Sequence, residues 1–269
     1  MPSLNFPLSS VLLISTLSSV LLPNFDAIAQ TTQPSQSVAP GQLLFNAPAE
    51  DFENEGRPPS RTSAGSRNAC LDLLIALVPG QQEVSMDESG CSARSDAAMA
   101  LTISEQPTLW FYLPEFAREG AIAELVLLNE ALQPTFIQPV TLENTTGIIG
   151  VLLEQPLEVG HVYHWVFSVE SNTSHSSEPL VVGGFIKRIE PDDTLTTALS
   201  SDTLDQERLV LYANHGIWHD ALTLIVNLRR ANQNDLTLRQ QWSSFLDSVG
   251  LEAIANAPLS TCCEEEQSP

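Results

Sequence analysis

The sequence predicts an α+β protein in which an antiparallel, immunoglobulin-like β-sandwich precedes a small α-helical unit. Between residues 69 and 190, short apolar runs alternate with Pro, Gly and Asn, which is the pattern of strands separated by turns. No helical periodicity interrupts these runs, so an antiparallel sandwich is favoured over a parallel sheet. After Pro191 the apolar residues recur every three or four positions, which predicts helices over residues 191–259.

Six strands are predicted, and the one over residues 161–169 has the clearest pattern. Its alternating residues share one face, which carries Tyr163, Trp165, Phe167 and Val169. That face must be buried, because each aromatic side chain removes about 150–250 Å² from water. Trp165 is therefore predicted to be a core residue. The other predicted strands are Leu71–Val78, Thr108–Leu113, Ile122–Leu128, Gly147–Leu153 and Leu180–Ile189.

Three helices are predicted in the C-terminal unit. The first spans Thr203–Asn214, and the third begins after the N-cap Asp235 and ends before Gly250. The second has a single apolar stripe, formed by Trp218, Ala221, Leu222 and Ile225. The turn over residues 213–222 is similar to the inter-helix turn of a tetratricopeptide repeat. Because stable solenoids need about three repeats, we expect these helices to pack on the sandwich or on each other.

Residues 1–29 are predicted to be a secretory signal peptide. An apolar run over Pro7–Leu22 is followed by a small-x-small site at Ala27 and Ala29, which indicates cleavage before Gln30. No Lys or Arg precedes the run, so an uncleaved membrane anchor is the alternative, although a span needs about 20 apolar residues. We therefore expect an exported protein, located in the periplasm or at the cell surface.

The ends of the exported chain are predicted to be irregular. Residues 30–68 are rich in Pro, Gly, Ser and Gln, which indicates a disordered linker, and residues 260–269 form an acidic tail. Cys70 and Cys91 are candidates for a disulfide, because exported proteins fold in an oxidising compartment. The neighbouring Cys262 and Cys263 lie in the tail, and a bridge between adjacent cysteines would be strained.

The chain is strongly acidic, with 33 acidic and 11 basic residues and a net charge of −22. Such a surface repels phosphate backbones and anionic lipid headgroups, so nucleic acid and membrane binding through a basic patch are disfavoured. Cationic ligands, divalent ions and basic partner proteins remain open. The simpler explanation is that acidity keeps an exported protein soluble. No stretch beyond the leader is long and apolar enough to predict a membrane span.

Two pairs of histidines are candidates for a metal site. His161 and His164 are three residues apart on a predicted strand, so we expect their side chains on opposite faces. His215 and His219 flank a turn, and with Asp220 they could form at most a weak site. In a repeat-like helix pair, His219 would point to solvent. We therefore predict no metal site and no other cofactor.

The sequence also lacks the motifs of nucleophilic and phosphate chemistry. It contains no G-x-S-x-G, no H-E-x-x-H and no glycine-rich phosphate loop. Glu124 and Glu130 flank a predicted strand, and we expect both to face solvent. No catalytic residue is assigned. A pair of catalytic carboxylates that only the fold brings together remains open.

Several segments in a fixed order carry a resemblance to a known family. They are residues 56–67 followed by Cys70-Leu71, 73–79, 101–112, 157–165, 211–221 and the closing Ser248-Val249-Gly250-Leu251. This order resembles the cyanobacterial family called domain of unknown function nine-two-eight, over residues 56–259. Ser171 stands near a position where that family often has Cys, and Phe185 stands where it often has Trp. The resemblance implies an exported protein without an assigned activity, and it supplies no catalytic residues.

Together these observations predict a non-catalytic extracytoplasmic module that acts through contacts with another envelope or secreted protein. One alternative is an envelope hydrolase or carbohydrate-processing enzyme, which would show two close carboxylates and a raised pKa for at least one. Another is a cation- or glycan-binding module with an exposed aromatic face. That module would need Trp110 and Tyr112 exposed, whereas we expect at least one of them to be buried.

Overall fold

Ten strands and four helices lie in the part of the chain that the structure describes. The structure is a computed structural model, and it describes residues 41–48, 73–87, 90–97, 99–114, 121–142, 145–170, 179–200 and 202–260. The predicted signal peptide, most of the predicted linker and almost all of the acidic tail lie outside these ranges. The described residues all belong to one unit, Val38–Pro269.

The strands form two sheets and a hairpin. In chain order they are β1 Ile75–Ala76, β2 Gly80–Asp87, β3 Gly90–Ala97, β4 Met99–Thr102, β5 Thr108–Leu113, β6 Ile122–Leu128, β7 Pro134–Thr141, β8 Gly147–Leu152, β9 Val162–Glu170 and β10 Leu180–Arg188. The five-stranded sheet has the order β4–β10–β9–β6–β7, and the three-stranded sheet has the order β1–β5–β8. The hairpin consists of β2 and β3.

One strand pair is parallel, which corrects the prediction of a wholly antiparallel sandwich. β4 runs parallel to β10, with Met99 opposite Phe185 and Thr102 opposite Arg188. The other pairs among the described strands are antiparallel. The physical reason is that β4 and β10 are distant in the chain, so no hairpin turn forces them to run in opposite directions.

Most of the predicted strands are confirmed. β5, β6, β8, β9 and β10 agree with the prediction to within one residue at each end. The predicted strand Leu71–Val78 contains only the two-residue β1. Four strands, β2, β3, β4 and β7, were not predicted. In β7 the reason is the presence of Pro134 and Pro139, because proline usually argues against a strand except at the edge of a sheet.

Four helices follow the last strand. They are α1 Asp193–Ala198, α2 Asp205–Asn214, α3 Trp218–Ala231 and α4 Leu236–Asp247. The three predicted helices are confirmed, and α1 is an additional short helix. Asp235 caps α4 as predicted, because its Oδ1 accepts hydrogen bonds from the backbone N–H groups of Thr237 and Leu238. Within the described ranges, no helix combines the length and the apolar character that crossing a bilayer requires.

The three-stranded sheet is covered on both faces. On one face the ring of Phe111 stacks on Phe167 of the five-stranded sheet, with 4.1 Å between ring centroids, and Phe111 also contacts Trp165. On the other face the indole N–H of Trp110 donates a hydrogen bond to Thr223 Oγ1 of α3 at 3.0 Å. This two-sided burial explains why β5 is a continuous apolar run rather than an alternating one. Trp165 is fully buried, as predicted.

A short N-terminal segment lies against the helices. We call residues 41–48 the strap. Leu43 and Phe45 in the strap are buried. Their backbone N–H groups donate hydrogen bonds to Ser244 Oγ at 2.9 Å and Ser248 Oγ at 3.1 Å. This part of the predicted disordered linker is therefore packed, because its two alternating apolar side chains have a buried surface to contact.

Candidate functional site

A polar cavity of about 230 Å³ lies where the loop after β4 meets α2 and α3. We call it the Asp220 cavity. It is lined by Thr102, Ser104, Gln106, Pro107, Thr108, Arg208, Tyr212, His219, Asp220, Thr223, Leu224 and Asn227. Hydroxyl, amide and aromatic side chains dominate this list. The cavity therefore offers more hydrogen-bonding groups than charges.

Asp220 ties the start of α3 to the loop after β4. It lies in the first turn of α3, where the helix dipole favours a negative charge. Its Oδ2 accepts hydrogen bonds from Thr102 Oγ1 at 2.7 Å and from the backbone N–H of Ile103 at 3.1 Å. Burial raises the pKa of Asp220 above its usual value, and these hydrogen bonds act in the opposite direction. The carboxyl group of this partly buried residue thus links two chain segments.

His219 is buried, with 1 % of its surface exposed, which corrects the prediction that it points to solvent. The reason is that α3 packs on the strands, so its second residue faces the start of β5 instead of water. Burial lowers the pKa of His219 to about 3, and the backbone of Thr108 acts weakly in the opposite direction. Neither ring nitrogen has a well-formed hydrogen bond to any described residue. The neutral ring can donate from one nitrogen and accept at the other.

Tyr212 and Arg208 of α2 form another wall of the cavity. Burial raises the pKa of Tyr212, and the nearby carboxylate of Asp220 raises it further. Arg208 Nη1 lies 3.9 Å from Asp205 Oδ1, and its Nη2 donates a hydrogen bond to the carbonyl oxygen of Thr203 at 3.4 Å. The guanidinium is therefore engaged by neighbouring residues of its own helix start.

The histidines that flank the turn before α3 have different surroundings. His215 is exposed, and its Nδ1 lies 2.8 Å from the carbonyl oxygen of Leu211. His219 instead faces the Asp220 cavity. Across the described ranges, no group of three or more His, Cys, Asp or Glu side chains has an arrangement that could hold a metal ion.

A second cavity, of about 500 Å³, lies beside the start of β9. His161 stands between two carboxylates there. Its Nδ1 is 3.8 Å from Glu130 Oε1, and its Nε2 is 3.4 Å from Glu158 Oε2. Glu130 is exposed, as predicted, and so is Glu124. The fold therefore brings two carboxylates and a histidine to one solvent-accessible cavity, which sequence spacing did not indicate.

A third feature is an apolar surface, the outer sheet face, on the side of the five-stranded sheet that points away from the three-stranded sheet. Ile137, Val126 and Val166 lie side by side on β7, β6 and β9. Ile137 is 56 % exposed, and Ile122 and Val181 on the same face are 69 % and 42 % exposed. Three adjacent strands thus present an apolar row to solvent.

His164 lies at the β10 side of the same face. Its ring is 5.0 Å from that of Phe185, which is buried with Met99 and Val162 in a small separate cluster. Burial lowers the pKa of His164. This position differs from that of His161, which lines the second cavity.

Trp110 and Tyr112 do not form an exposed aromatic platform. Trp110 is buried and bonded to Thr223, and Tyr112 is partly buried against the core. The expectation that at least one of them is buried is therefore confirmed. The aromatic face that the glycan- or cation-binding alternative requires at these two positions is not present.

Several predicted sites lie outside the described residues. They include the cleavage-site residues Ala27, Ala29 and Gln30, and they include Cys70. Cys91 belongs to β3, of which the backbone is described. The signal peptide and the disulfide between Cys70 and Cys91 stay predictions.

Comparison with known proteins supports the resemblance found in the sequence. A family model with the description Domain of Unknown Function (DUF928) matches residues 59–259. The chain belongs to this family. A search of the curated proteins finds no match. The strap, residues 41–48, precedes the part of the chain that the DUF928 model covers.

Two of the segments that carry the DUF928 resemblance supply most of the residues that line the Asp220 cavity. Residues 101–112 supply the loop after β4, and residues 211–221 supply Tyr212, His219 and Asp220. Thr102 and Tyr212 were not predicted as site residues, because neither belongs to a catalytic motif. The signal that could have found them is that both lie in these two segments.

Proposed function

We propose that this chain is an exported, non-catalytic interaction module of the cell envelope, which binds another envelope or secreted protein through the outer sheet face. The observation that carries the proposal is the exposure of Ile122, Ile137 and Val181 on that face. Single exposed apolar residues are common, but contiguous apolar patches are characteristic of interaction sites. The row formed by Ile137, Val126 and Val166 is the continuous part of this face, and Glu124 separates Ile122 from it.

The charge around the patch favours a partner with a basic rim. Glu124 and Glu170 are exposed on the same face, opposite Ser168 and Ile122 in the strand register. The chain as a whole has a net charge of −22. A partner with an apolar centre and surrounding Lys or Arg side chains would complement this surface, because matched charges speed association and disfavour wrong partners.

Docking onto the face is favoured over pairing at the sheet edge. β7 is an edge strand of the five-stranded sheet. It contains Pro134 and Pro139, which lack the N–H group that an added strand would need. The partner would therefore contact side chains of the outer sheet face instead of extending the sheet.

We further propose that the sandwich is immunoglobulin-like. In immunoglobulin domains strands A, B and E are neighbours in one sheet, and C′, C, F and G are neighbours in the other. The order β1–β5–β8 corresponds to A, B and E, and the order β7–β6–β9–β10 corresponds to C′, C, F and G. Sheets of this kind often serve as recognition surfaces, which agrees with the proposed role of the outer sheet face.

Tyr163 supports the same assignment. Its hydroxyl oxygen accepts a hydrogen bond from the backbone N–H of Glu158 at 3.3 Å. In immunoglobulin-like domains a tyrosine near the start of strand F bonds back to the backbone a few residues upstream, forming a tyrosine corner. Tyr163 is the second residue of β9, the strand that corresponds to F.

The helical unit is proposed to be tetratricopeptide-like around the turn between α2 and α3. Gly216 in this turn has φ +71°, a conformation that favours glycine. Ala213 and Ala221 on either side of the turn are fully buried. Small residues at these positions support close packing of the two helices.

Export belongs to the same proposal, with a cyanobacterial cell envelope as its setting. Its support is the apolar run Pro7–Leu22 followed by Ala27 and Ala29. N-terminal sequencing of the protein recovered from producing cells tests it. We expect the chain to begin at Gln30, and a protein that retains Met1 in the membrane fraction would contradict cleavage.

The interaction is tested by site-specific photo-crosslinking in cells. A photoreactive phenylalanine analogue replaces Ile137 on the outer sheet face, and in a matched control it replaces Leu236, which is 68 % exposed at the start of α4. We expect one envelope protein with a basic surface to be captured reproducibly from position 137 and not from position 236. Equal capture from both positions, or none from position 137, would contradict the proposal.

The second cavity favours one alternative function, that of an envelope hydrolase. Glu130 and Glu158 face the same cavity as His161, and two carboxylates are the usual catalytic groups of glycoside hydrolysis. The test is hydrolysis of cell-wall polysaccharides by wild type, Glu130→Gln and Glu158→Gln, with the exposed Glu124→Gln as a control. Turnover that both cavity variants lose and the control retains would overturn the non-catalytic proposal.

A further inference from the structure

The Asp220 cavity contains none of the residues that form the outer sheet face. The proposed protein contact therefore does not involve this cavity. Its volume is about 230 Å³. Pockets that hold drug-sized ligands measure about 300–1,000 Å³. The cavity is therefore large enough for a ligand about the size of a single ring.

The walls of the cavity are held in place by side-chain hydrogen bonds. Asp220 joins α3 to Thr102 and to Ile103 on one side. On another side, Thr223 accepts a hydrogen bond from the buried indole of Trp110. Because these contacts fix the positions of the cavity walls, binding would cost little reorganisation.

The charges of the cavity do not select an ionic ligand. The cavity is lined by one acidic side chain, Asp220, and one basic side chain, Arg208, so neither sign of charge predominates. Asp220 already accepts two hydrogen bonds, and Arg208 is engaged by Asp205 and Thr203. The electrostatics therefore favour an uncharged ligand.

The remaining polar groups favour a ligand that carries hydroxyl groups. Tyr212, Ser104 and Asn227 line the cavity, and each of these side chains can both donate and accept. Gln106 lines it too, and its amide N–H donates to the carbonyl oxygen of Glu154 at 2.6 Å. His219 also lines it, with its ring enclosed beside the backbone of Thr108. A hydroxyl group, which also donates and accepts, matches all of them.

Apolar surface is present beside these groups. The ring of Tyr212 and the side chains of Pro107 and Leu224 line the same cavity. A sugar ring has hydroxyl groups on its rim and C–H groups on its face, so it needs both kinds of surface. We propose that the Asp220 cavity binds one uncharged, ring-sized polyhydroxylated ligand, with the chemistry of a monosaccharide unit, either free or at the end of a glycan chain.

Saturation-transfer NMR and calorimetric titration of the purified full chain test this site. The probes are D-glucose, N-acetyl-D-glucosamine and the corresponding trisaccharides, maltotriose and chitotriose. We expect saturation transfer to at least one of them. Equal affinity for a monosaccharide and its trisaccharide would indicate a free sugar, and tighter trisaccharide binding would indicate the end of a glycan chain.

Two conservative variants locate the binding. Tyr212→Phe removes one hydroxyl group and keeps the ring, and Asn227→Ala removes one amide. Each is expected to weaken binding about tenfold, which is the usual effect of losing one hydrogen bond to a ligand. Asn234→Ala, an exposed position in the turn before α4, should bind like wild type.

Two outcomes would contradict the proposed sugar site. No saturation transfer to any of these sugars from the wild-type chain would exclude it, as would an unchanged Kd in both Tyr212→Phe and Asn227→Ala. Thermal unfolding of each variant establishes that it is folded before its affinity is compared. None of these readouts depends on the protein partner proposed for the outer sheet face.

Discussion

Gly184 of β10 lies directly against the indole of Trp165 on β9. A Cβ atom at position 184 would be 2.5 Å from Cζ2 of Trp165 and 3.0 Å from Cε2. Real Cβ contacts are not this short, so the two residues cannot both be retained if position 184 gains a side chain. The Trp165 ring, which packs between the two sheets, therefore requires that position 184 of the neighbouring strand has no side chain.

Gly184→Ala should destabilise the protein by about 1–3 kcal/mol, the usual cost of overpacking a core. Urea unfolding measures the change. In the double variant Gly184→Ala/Trp165→Phe, the smaller ring should relieve the contact, so the loss should be smaller than the sum of the two single losses. Additive losses would show that the contact does not exist in solution.

His219 should make the protein sensitive to acid. Its pKa is lowered from 6.5 to about 3 in the folded state, so its neutral form is favoured by folding. This contribution is fully present above pH 6.5 and is lost as the pH falls towards 3. At about 1.4 kcal/mol per pKa unit, the loss amounts to at most about 5 kcal/mol.

Urea unfolding of wild type and His219→Leu between pH 7 and pH 3 checks this prediction. The variant cannot titrate at this position, so its stability should fall less over the range. His215→Leu, at an exposed position, should follow the wild-type curve. Parallel curves for wild type and His219→Leu would refute the burial of His219.

Asp220 should give the stability of the protein a pH dependence opposite to that of His219. Its pKa is raised above 3.8 in the fold, so its protonated form is favoured by folding. The stabilisation is present below pH 3.8 and is lost as the pH rises through the folded-state pKa. Asp220→Asn keeps an acceptor for Thr102 and Ile103 without a charge, so it should be at least as stable as wild type at pH 7.

Asp220→Ala is the matched comparison for this position. It leaves the hydroxyl of Thr102 and the N–H of Ile103 without their acceptor, at a cost of about 1–3 kcal/mol for each buried group. Denaturant unfolding at pH 7 should therefore show that Asp220→Asn is at least as stable as wild type and that Asp220→Ala is less stable. If Asn and Ala were equally destabilising, the charge itself would be the stabilising feature.

The strap should be an integral part of the folded unit. The ring of Phe45 meets that of Trp218 edge-on, with 4.8 Å between centroids, and lies 6.0 Å from Phe245. Phe45→Ala should cost about 3–5 kcal/mol, and it should expose residues 41–48 to proteases. The exposed Gln42→Ala is the control. Wild-type stability and protease resistance of Phe45→Ala would show that the strap is not docked in solution.

Secondary structure was largely predictable, because strand and helix patterns are local. The alternation in β9 and the stripe on α3 each lie within about ten residues, so they can be detected without knowledge of the partners. β7 was missed, because its two prolines are compatible with a strand only at a sheet edge. The parallel pairing of β4 with β10 was missed, because pairing depends on segments that are distant in the chain.

The candidate sites were much less predictable. His219 and Asp220 are adjacent in the sequence, and the helix that contains them was predicted. Their burial depends on the loop at Thr102 and Ile103, which is remote in sequence. Glu130 and Glu158 likewise share a cavity because β6 and β9 are neighbours in the sheet.

By itself, the sequence determined the family, the position of most strands and helices, and the burial of Trp165. These follow from local periodicity and from motifs in a fixed order, which need no partner to be recognised. Only the tertiary structure decided that the three-stranded sheet is covered on both faces, that the strap is packed, and that a neutral histidine and a buried carboxyl group line one polar cavity. The physical reason is that burial and hydrogen-bond partners are set by contacts between distant segments.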